Sequence, residues 1–150
     1  MNTKITLFLS TFILLQACND QKTSEQDEAA NQAIAKIFSD YQEYSLRNFP
    51  ERATYDGDHR YDDQLTDISE AAVNARFDSL RNFLKRIKAL EPHQLTVANK
   101  LNYDLFSQKL EQKIASEKFN RHYTSLTQRD GLHIRFPQII ESQPAKTVKD

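Results

Sequence analysis

The densest set of reactive side chains in this sequence lies at residues 53–63, ATYDGDHRYDD. Four aspartates, one histidine, one arginine and two tyrosines surround a single glycine there. Such a density of carboxylates and nitrogen donors indicates a bound cation or a contact with a substrate amine. The alternative interpretation, which the Asp and Gly content favours, is a hydrogen-bonded connection between two helices.

The candidate residues of this acidic loop run from the glycine to the last aspartate: Gly57, Asp58, His59, Arg60, Tyr61, Asp62 and Asp63. We predict that the glycine permits a backbone turn that a β-carbon would strain, and that the aspartates accept hydrogen bonds from amides left free at helix starts. The spacing of the acids differs from that of a calcium loop, which also needs a bidentate Glu at its twelfth place. We therefore interpret the loop as structural, with a neighbouring substrate cleft as the functional alternative.

Motifs for a catalytic metal or a catalytic nucleophile are missing from the sequence. Its histidines never stand four residues apart, so the His-Glu-x-x-His zinc motif does not occur; they are His59, His93, His122 and His133. A Gly-x-Ser-x-Gly elbow and a phosphate-binding glycine loop are also missing. The residues themselves thus assign no catalytic side chain, no metal ligand and no cofactor to this chain.

The N-terminal residues have the layout of a bacterial lipoprotein signal. Lys4 supplies a positive charge, residues 5–15 form an uncharged apolar run of eleven, and residues 15–18 (LQAC) resemble a lipobox. A run of this length is too short to span a bilayer, which takes about 20 residues. We therefore predict a signal peptide over residues 1–17 and lipidation of Cys18, whereas the alternative is an ordinary secretory signal.

The residues after the predicted anchor indicate a tether. Residues 19–28 (NDQKTSEQDE) carry no apolar side chain, so we predict a flexible tether over residues 18–28 and a helical domain over residues 29–150. The lipid on Cys18 makes the membrane the expected partner and the bacterial cell envelope the expected location. Asn19 favours the outer membrane if the sorting rule of enteric bacteria applies.

Composition favours one helical domain. The chain of 150 residues contains only two glycines and four prolines, too few for a sheet with many turns. Twenty basic and 21 acidic residues give a formal net charge of -1, without a run of five like charges. Nucleic acid is therefore excluded as a partner.

Apolar residues recur at three- and four-residue steps over three long segments, as in amphipathic helices. Pro50 ends the first helix, either Asp67 or Ser69 caps the second, and Pro92 follows the end of the second. The predicted helices cover residues 30–49, 70–91 and 96–119. The third has the widest apolar arc, about 220° at about 100° per residue, so we predict that it is the most buried.

The last part of the chain lacks this helical period. Residues 132–136 (LHIRF) alternate between apolar and polar side chains before Pro137, which predicts a short strand or an extended segment. The expected fold is therefore all-α. It is an antiparallel bundle of about three long helices with an irregular C-terminal segment.

Three blocks of the chain resemble one bacterial family. They are residues 48–63 (NFPERATYDGDHRYDD), residues 101–105 (LNYDL), and residues 136–138 (FPQ) leading to QP at 143–144. The string GDHRYDD at residues 57–63 is the most specific of them. On these residues the chain resembles the N-terminal part of the bacterial domain of unknown function 885 (DUF885) family, whose members are often lipoproteins.

The resemblance implies a helical fold and a zinc-metallopeptidase-like hydrolase, since family members are longer and carry a His-Glu-x-x-Pro-Gly-His-like motif toward their C-terminus. That motif is absent from this sequence. We expect a truncated, inactive N-terminal helical portion, whereas a full-length relative would bind zinc and a peptide substrate. The rival hypothesis is a complete small envelope lipoprotein that acts as a binding or scaffold module.

We predict that the chain binds zinc weakly or not at all and cleaves no peptide, because the zinc-motif spacing is missing. Calorimetric titration with zinc at neutral pH is the direct measurement. Tight one-to-one binding that His59→Ala abolishes would show instead that the acidic loop is a metal site.

Overall fold

The computed structural model describes the backbone of residues 3–120, 123 and 131–142. Within these ranges it describes the side chains of residue 25 and of all residues from 27 onward, except 132 and 142. These parts of the chain contain five α-helices and no strand, which confirms the all-α class. The helices are α1 (Thr3–Asn48), α2 (Pro50–Tyr55), α3 (Glu70–Lys88), α4 (Val97–Ala115) and α5 (Leu132–Ser142). Short 3₁₀ turns cover His59–Tyr61, Pro92–Gln94 and Glu117–Phe119.

The first helix ends just before Pro50, as predicted, but the short helix α2 that begins at this proline was not predicted. Phe49 lies outside the helical region, with φ -135° and ψ 68°, because a residue before proline is sterically driven out of it. Pro50 then takes the first position of α2, where a missing backbone N–H costs nothing. The predicted cap of α3 is also confirmed, since the Ser69 hydroxyl accepts a hydrogen bond from the amide of Ala72 at 3.3 Å.

The connection between α3 and α4 is fixed by one side chain of α1. The Thr96 hydroxyl caps α4 by accepting from the amide of Asn99 at 3.3 Å. The Asn31 side-chain amide donates to the carbonyl of Gln94 at 3.2 Å, and its oxygen accepts from the Thr96 amide at 3.1 Å and from the Asn99 side chain at 2.7 Å. The backbone of this connection therefore finds its partners on α1.

Contacts between side chains give the directions of the long helices. Asp40 of α1 pairs with Arg86 of α3 at 2.5 Å, and the Tyr44 hydroxyl reaches the Arg76 carbonyl at 3.4 Å. Later residues of α1 thus meet earlier residues of α3, so the two helices are antiparallel.

Helix α4 runs in the same direction as α1. Asn31 contacts Asn99, and further along both helices the Lys113 amine donates to the Tyr41 hydroxyl at 3.2 Å. The chain therefore runs up, down and up through its three long helices.

The core is shared by these three helices and the connection between α3 and α4. Each long helix contributes one side chain with no solvent exposure: Ile34, Ile87 and Leu110. The remaining buried members of this cluster are Ala30, Ile37, Leu80, Phe83, Leu95, Tyr103 and Phe106. Burial of each large apolar side chain contributes about 1.5–3 kcal/mol, so packing stabilises this arrangement more than helix propensity does.

The prediction that the third helix is the most buried is wrong. Tyr103, Phe106 and Leu110 of α4 lie in the core, but Leu101 and Leu105 on its other face are 59% and 55% exposed. Helices α1 and α3 both pack on one side of α4, and the apolar arc of α4 is wider than the surface that they cover.

The strand predicted at residues 132–136 is also wrong, because these residues begin α5. Five residues of alternation fit either structure, while Phe136 and Ile140 stand four apart and continue a helical pattern beyond the proline. Pro137 lies inside α5 and gives up the hydrogen bond that an amide there would donate to the His133 carbonyl. The predicted second and third helices end earlier than expected, at Lys88 and Ala115.

Helix α1 begins at Thr3 and so passes through the residues assigned above to a signal peptide and a tether. The division at residues 17 and 28 stays a prediction. Among the residues that the structure describes, no helix combines the length and the apolar character needed to cross a membrane.

We expect Leu110→Ala to lower the free energy of unfolding by about 2–5 kcal/mol, because it leaves a cavity in the shared core. Leu105→Ala on the same helix is the matched control. Its side chain is 55% exposed, and surface substitutions usually change stability by less than about 0.5 kcal/mol. Urea unfolding followed by circular dichroism measures both, and equal losses would contradict this core.

Candidate functional site

The acidic loop begins with a glycine cap at the end of α2. Gly57 has a φ of +91°, its amide donates to the Thr54 carbonyl at 3.0 Å, and the Asp58 amide donates to the Ala53 carbonyl at 2.8 Å. This pair of bonds is the Schellman pattern that closes helices. No atom lies within 4 Å of the place where a β-carbon would stand, so the backbone angle alone requires glycine. The predicted role of Gly57 is confirmed.

Arg60 is held between the loop and α1. Asp58 precedes the 3₁₀ turn and accepts the Arg60 amide at 3.2 Å, and its carboxylate also accepts from Arg60 Nε at 3.0 Å and Nη2 at 2.7 Å. The same guanidinium donates to both carboxylate oxygens of Glu43 on α1, at 3.2 and 2.9 Å. A planar guanidinium with several fixed donors suits such a double clamp.

Mutual hydrogen bonding keeps these three groups charged at neutral pH. Hydrogen bonds from Arg60 hold the pKa of Asp58 below its usual range. Arg60 and then the Tyr61 hydroxyl, which donates to Glu43 at 2.6 Å, do the same for the pKa of Glu43. The two carboxylates, Asp58 first, raise the pKa of the Arg60 guanidinium. The cation that Asp58 and Glu43 bind is therefore the side chain of Arg60.

The second half of the loop is tied to α2 through Asp62. The buried Thr54 hydroxyl donates to Asp62 Oδ1 at 2.5 Å, and His59 Nδ1 lies 2.9 Å from Asp62 Oδ2. Asp63 is exposed and makes no side-chain hydrogen bond to the residues that the structure describes. Of the predicted residues, all but Asp63 are thus brought into one hydrogen-bonded unit. The prediction that the aspartates accept backbone amides is confirmed for Asp58 and wrong for Asp62, which binds side chains, and for Asp63 within the described part of the chain.

Two carboxylates of the acidic loop already have partners within the protein. Asp58 is engaged by Arg60, whose positive charge opposes a second cation there, and Asp62 already contacts Thr54 and His59. Within the described ranges, no group of three or more His, Cys, Asp or Glu side chains is placed to hold a metal. His122 lies outside the described residues, as does the side chain of Cys18.

Two acids of this region were missed by the sequence analysis. One is Glu43, which binds Arg60 and Tyr61. The other is Glu51 of α2, whose carboxylate accepts from the Thr66 amide at 2.9 Å and hydroxyl at 2.5 Å. Partial burial raises the pKa of Glu51, but the Thr66 bonds outweigh it and leave the pKa below its usual value. Neither acid differs in sequence from an ordinary surface glutamate, so no local signal could identify them.

A comparison with models of known protein families finds one match, and this match includes the acidic loop. The family model described as "Bacterial protein of unknown function (DUF885)" matches residues 50–150, about two-thirds of the chain. The chain belongs to the DUF885 family. No curated protein and no solved structure matches it. The acidic loop lies inside the part matched to DUF885, whose description names no activity.

We expect Arg60→Gln to lower the free energy of unfolding at neutral pH, because Asp58 and Glu43 then face each other without a cation. Arg60 depresses both carboxyl pKa values, so its contribution is complete above the unfolded-state values, about 3.9 and 4.3. It disappears as the pH falls through the lower folded-state values. The difference from the parent protein should therefore shrink below about pH 4.

Urea unfolding at a series of pH values measures this dependence. Arg52→Gln is the matched control. Arg52 of α2 pairs at 2.8 Å with Asp56, the residue that follows this helix, so the pair joins no second element. We expect it to change stability little. A loss for Arg60→Gln that is the same at pH 3 as at pH 7 would contradict the assigned electrostatic role.

Proposed function

We propose that this DUF885 chain is a bacterial envelope lipoprotein, anchored through Cys18, whose helices form the N-terminal portion of a peptidase-like protein. The lipobox at residues 15–18, directly after an uncharged apolar run, carries the first part of this proposal. The DUF885 match beginning at residue 50 supports the second. Residues 19–28 would then separate the lipid from the helical domain, whose core includes α1 from Ala30 onward.

The role that the geometry favours for the acidic loop is positioning. Asp58 and Asp62 are engaged by Arg60, Thr54 and the backbone, and Arg60 also binds Glu43, so the loop is held against α1 and α2. Such a rigid, exposed and polar unit suits the border of a peptide-binding cleft. We assign the chain no catalytic residue, and zinc chemistry is proposed only for a full-length relative.

A second candidate function is a binding or scaffold module. The observation that favours it is the apolar row on the outer face of α4, where Val97 is 91% exposed and Leu101 and Leu105 are more than half exposed. Rows of exposed apolar side chains mark surfaces that another protein or domain covers. An in-frame coding continuation with the zinc motif after Asp150 would support the first function, and an intact stop codon there would support the second.

We predict that Cys18 becomes the acylated N-terminus of the mature protein, because the apolar run before it is too short to anchor the chain by itself. Mass spectrometry of protein extracted from bacterial membranes should find a lipid-modified Cys18. Cys18→Ala should move the protein out of the membrane fraction, while Ser10→Ala in the apolar run, the matched control, should leave it there. An unmodified N-terminus beyond Cys18, or unchanged fractionation of Cys18→Ala, would refute the anchor.

A further inference from the structure

A groove of about 240 Å³ lies between the last turns of α1 and α4 and the first half of α3. No residue of the acidic loop lines it. Its apolar lining consists of aromatic and aliphatic side chains: Tyr41, Tyr44, Phe49, Val73, Phe77 and Leu80. Typical pockets for drug-sized ligands measure about 300–1,000 Å³, so this groove suits one aromatic or branched aliphatic group.

Two cationic side chains line the same groove without a carboxylate partner in the described part of the chain. The Arg76 guanidinium lies 5.7 Å from the centre of the Phe49 ring, and Lys113 donates to the Tyr41 hydroxyl at 3.2 Å. Asp67 is close enough for Arg76 to contribute to its lowered pKa, but the hydrogen bonds from Ser69 are the larger cause. Both cations therefore remain available to an anion.

The acid that lines this groove already has a cationic partner. Glu117 is bound by the guanidinium of Arg81, which also pairs with Asp78 at 2.8 Å. Because the Tyr41 hydroxyl accepts from Lys113, its own hydrogen is free to be donated to a ligand. The lining thus combines an apolar surface with two positive charges, one neutral donor and the Glu117 carboxylate, which is paired with Arg81.

We propose that this groove binds a small organic carboxylate with an aromatic or branched aliphatic body. The body covers the apolar lining, and the carboxylate meets Arg76, Lys113 and the Tyr41 hydroxyl. A neutral molecule leaves the cations unused, and a cationic one is repelled by them. The same chemistry is offered by a free acid and by the C-terminal residue of a peptide. This inference does not depend on the proposed function.

The test compares four probes on the full chain in lipid nanodiscs, with empty nanodiscs as the blank, by ligand-observed saturation-transfer NMR. Hydrocinnamate should bind about tenfold more tightly than hydrocinnamyl alcohol, which has the same body without the charge. N-acetylphenylalanine should likewise bind more tightly than N-acetylphenylalanine amide, which lacks the negative charge. Tighter binding of N-acetylphenylalanine than of hydrocinnamate identifies a peptide C-terminus as the source, and the reverse order identifies a free acid.

Variants place the binding in the groove. Lys113→Gln and Arg76→Gln should each weaken hydrocinnamate about five- to tenfold and leave hydrocinnamyl alcohol unchanged, and Lys113→Arg should restore most of the loss. Lys100→Gln, an exposed position of α4 that does not line the groove, is the control. Circular dichroism checks folding, and Lys113→Gln at its solvent-exposed position decides the test if Arg76→Gln unfolds. Equal binding of acid and alcohol, or full affinity in Lys113→Gln, overturns the proposal.

Discussion

Tyr41 packs edge to face against Phe83 of α3 and Phe106 of α4, with ring centres 5.3 and 4.9 Å apart and interplanar angles of 87° and 81°. This geometry suits the charge distribution of aromatic rings and contributes about 0.5–1.5 kcal/mol per pair beyond burial. Because Tyr41 belongs to α1, one residue joins all three long helices. Their mutual orientation, and with it the groove and the connection fixed by Asn31, depends on this junction.

A charge constraint holds the smaller elements to that frame. Arg60 pairs with Asp58 of its own loop and with Glu43 of α1, and this double pairing joins the 3₁₀ turn to α1. Glu51 binds the segment further along through Thr66. Two of the loop's acids, Asp58 and Asp62, are thus already hydrogen-bonded within the protein.

The sequence predicted those features whose causes lie within a few residues. The break at Pro50, the Ser69 cap and the turn at Gly57 each depend on local backbone chemistry, and all three occur. The acidic loop was recognised for the same reason, because its residues are neighbours in the sequence. The Glu43–Arg60 contact was not, because it joins residues 17 apart in sequence that meet only once α1 and the loop have packed.

The two errors in the fold have different causes, of which only the first is tertiary packing. The apolar arc of α4 gives the surface available for burial, but the number of neighbouring helices decides how much is covered, and Leu101 and Leu105 stay exposed. At residues 132–136 a period-two pattern of five residues carried too little information, and the helical continuation through Phe136 and Ile140 decided the structure. Composition and local propensity could not predict the first outcome, because it depends on how the helices pack.

The last turns of α1 serve the loop and the groove from different sides. At about 100° per residue, Tyr44 lies about 60° around the helix from Tyr41, whereas Glu43 lies about 160° from it. The tyrosines accordingly line the groove, and Glu43 faces Arg60. Substitution of Glu43 would therefore remove the partner of the loop and leave the aromatic wall in place. The two surfaces share a backbone but use different side chains, and no charged group of the loop lines the groove beside Arg76 and Lys113.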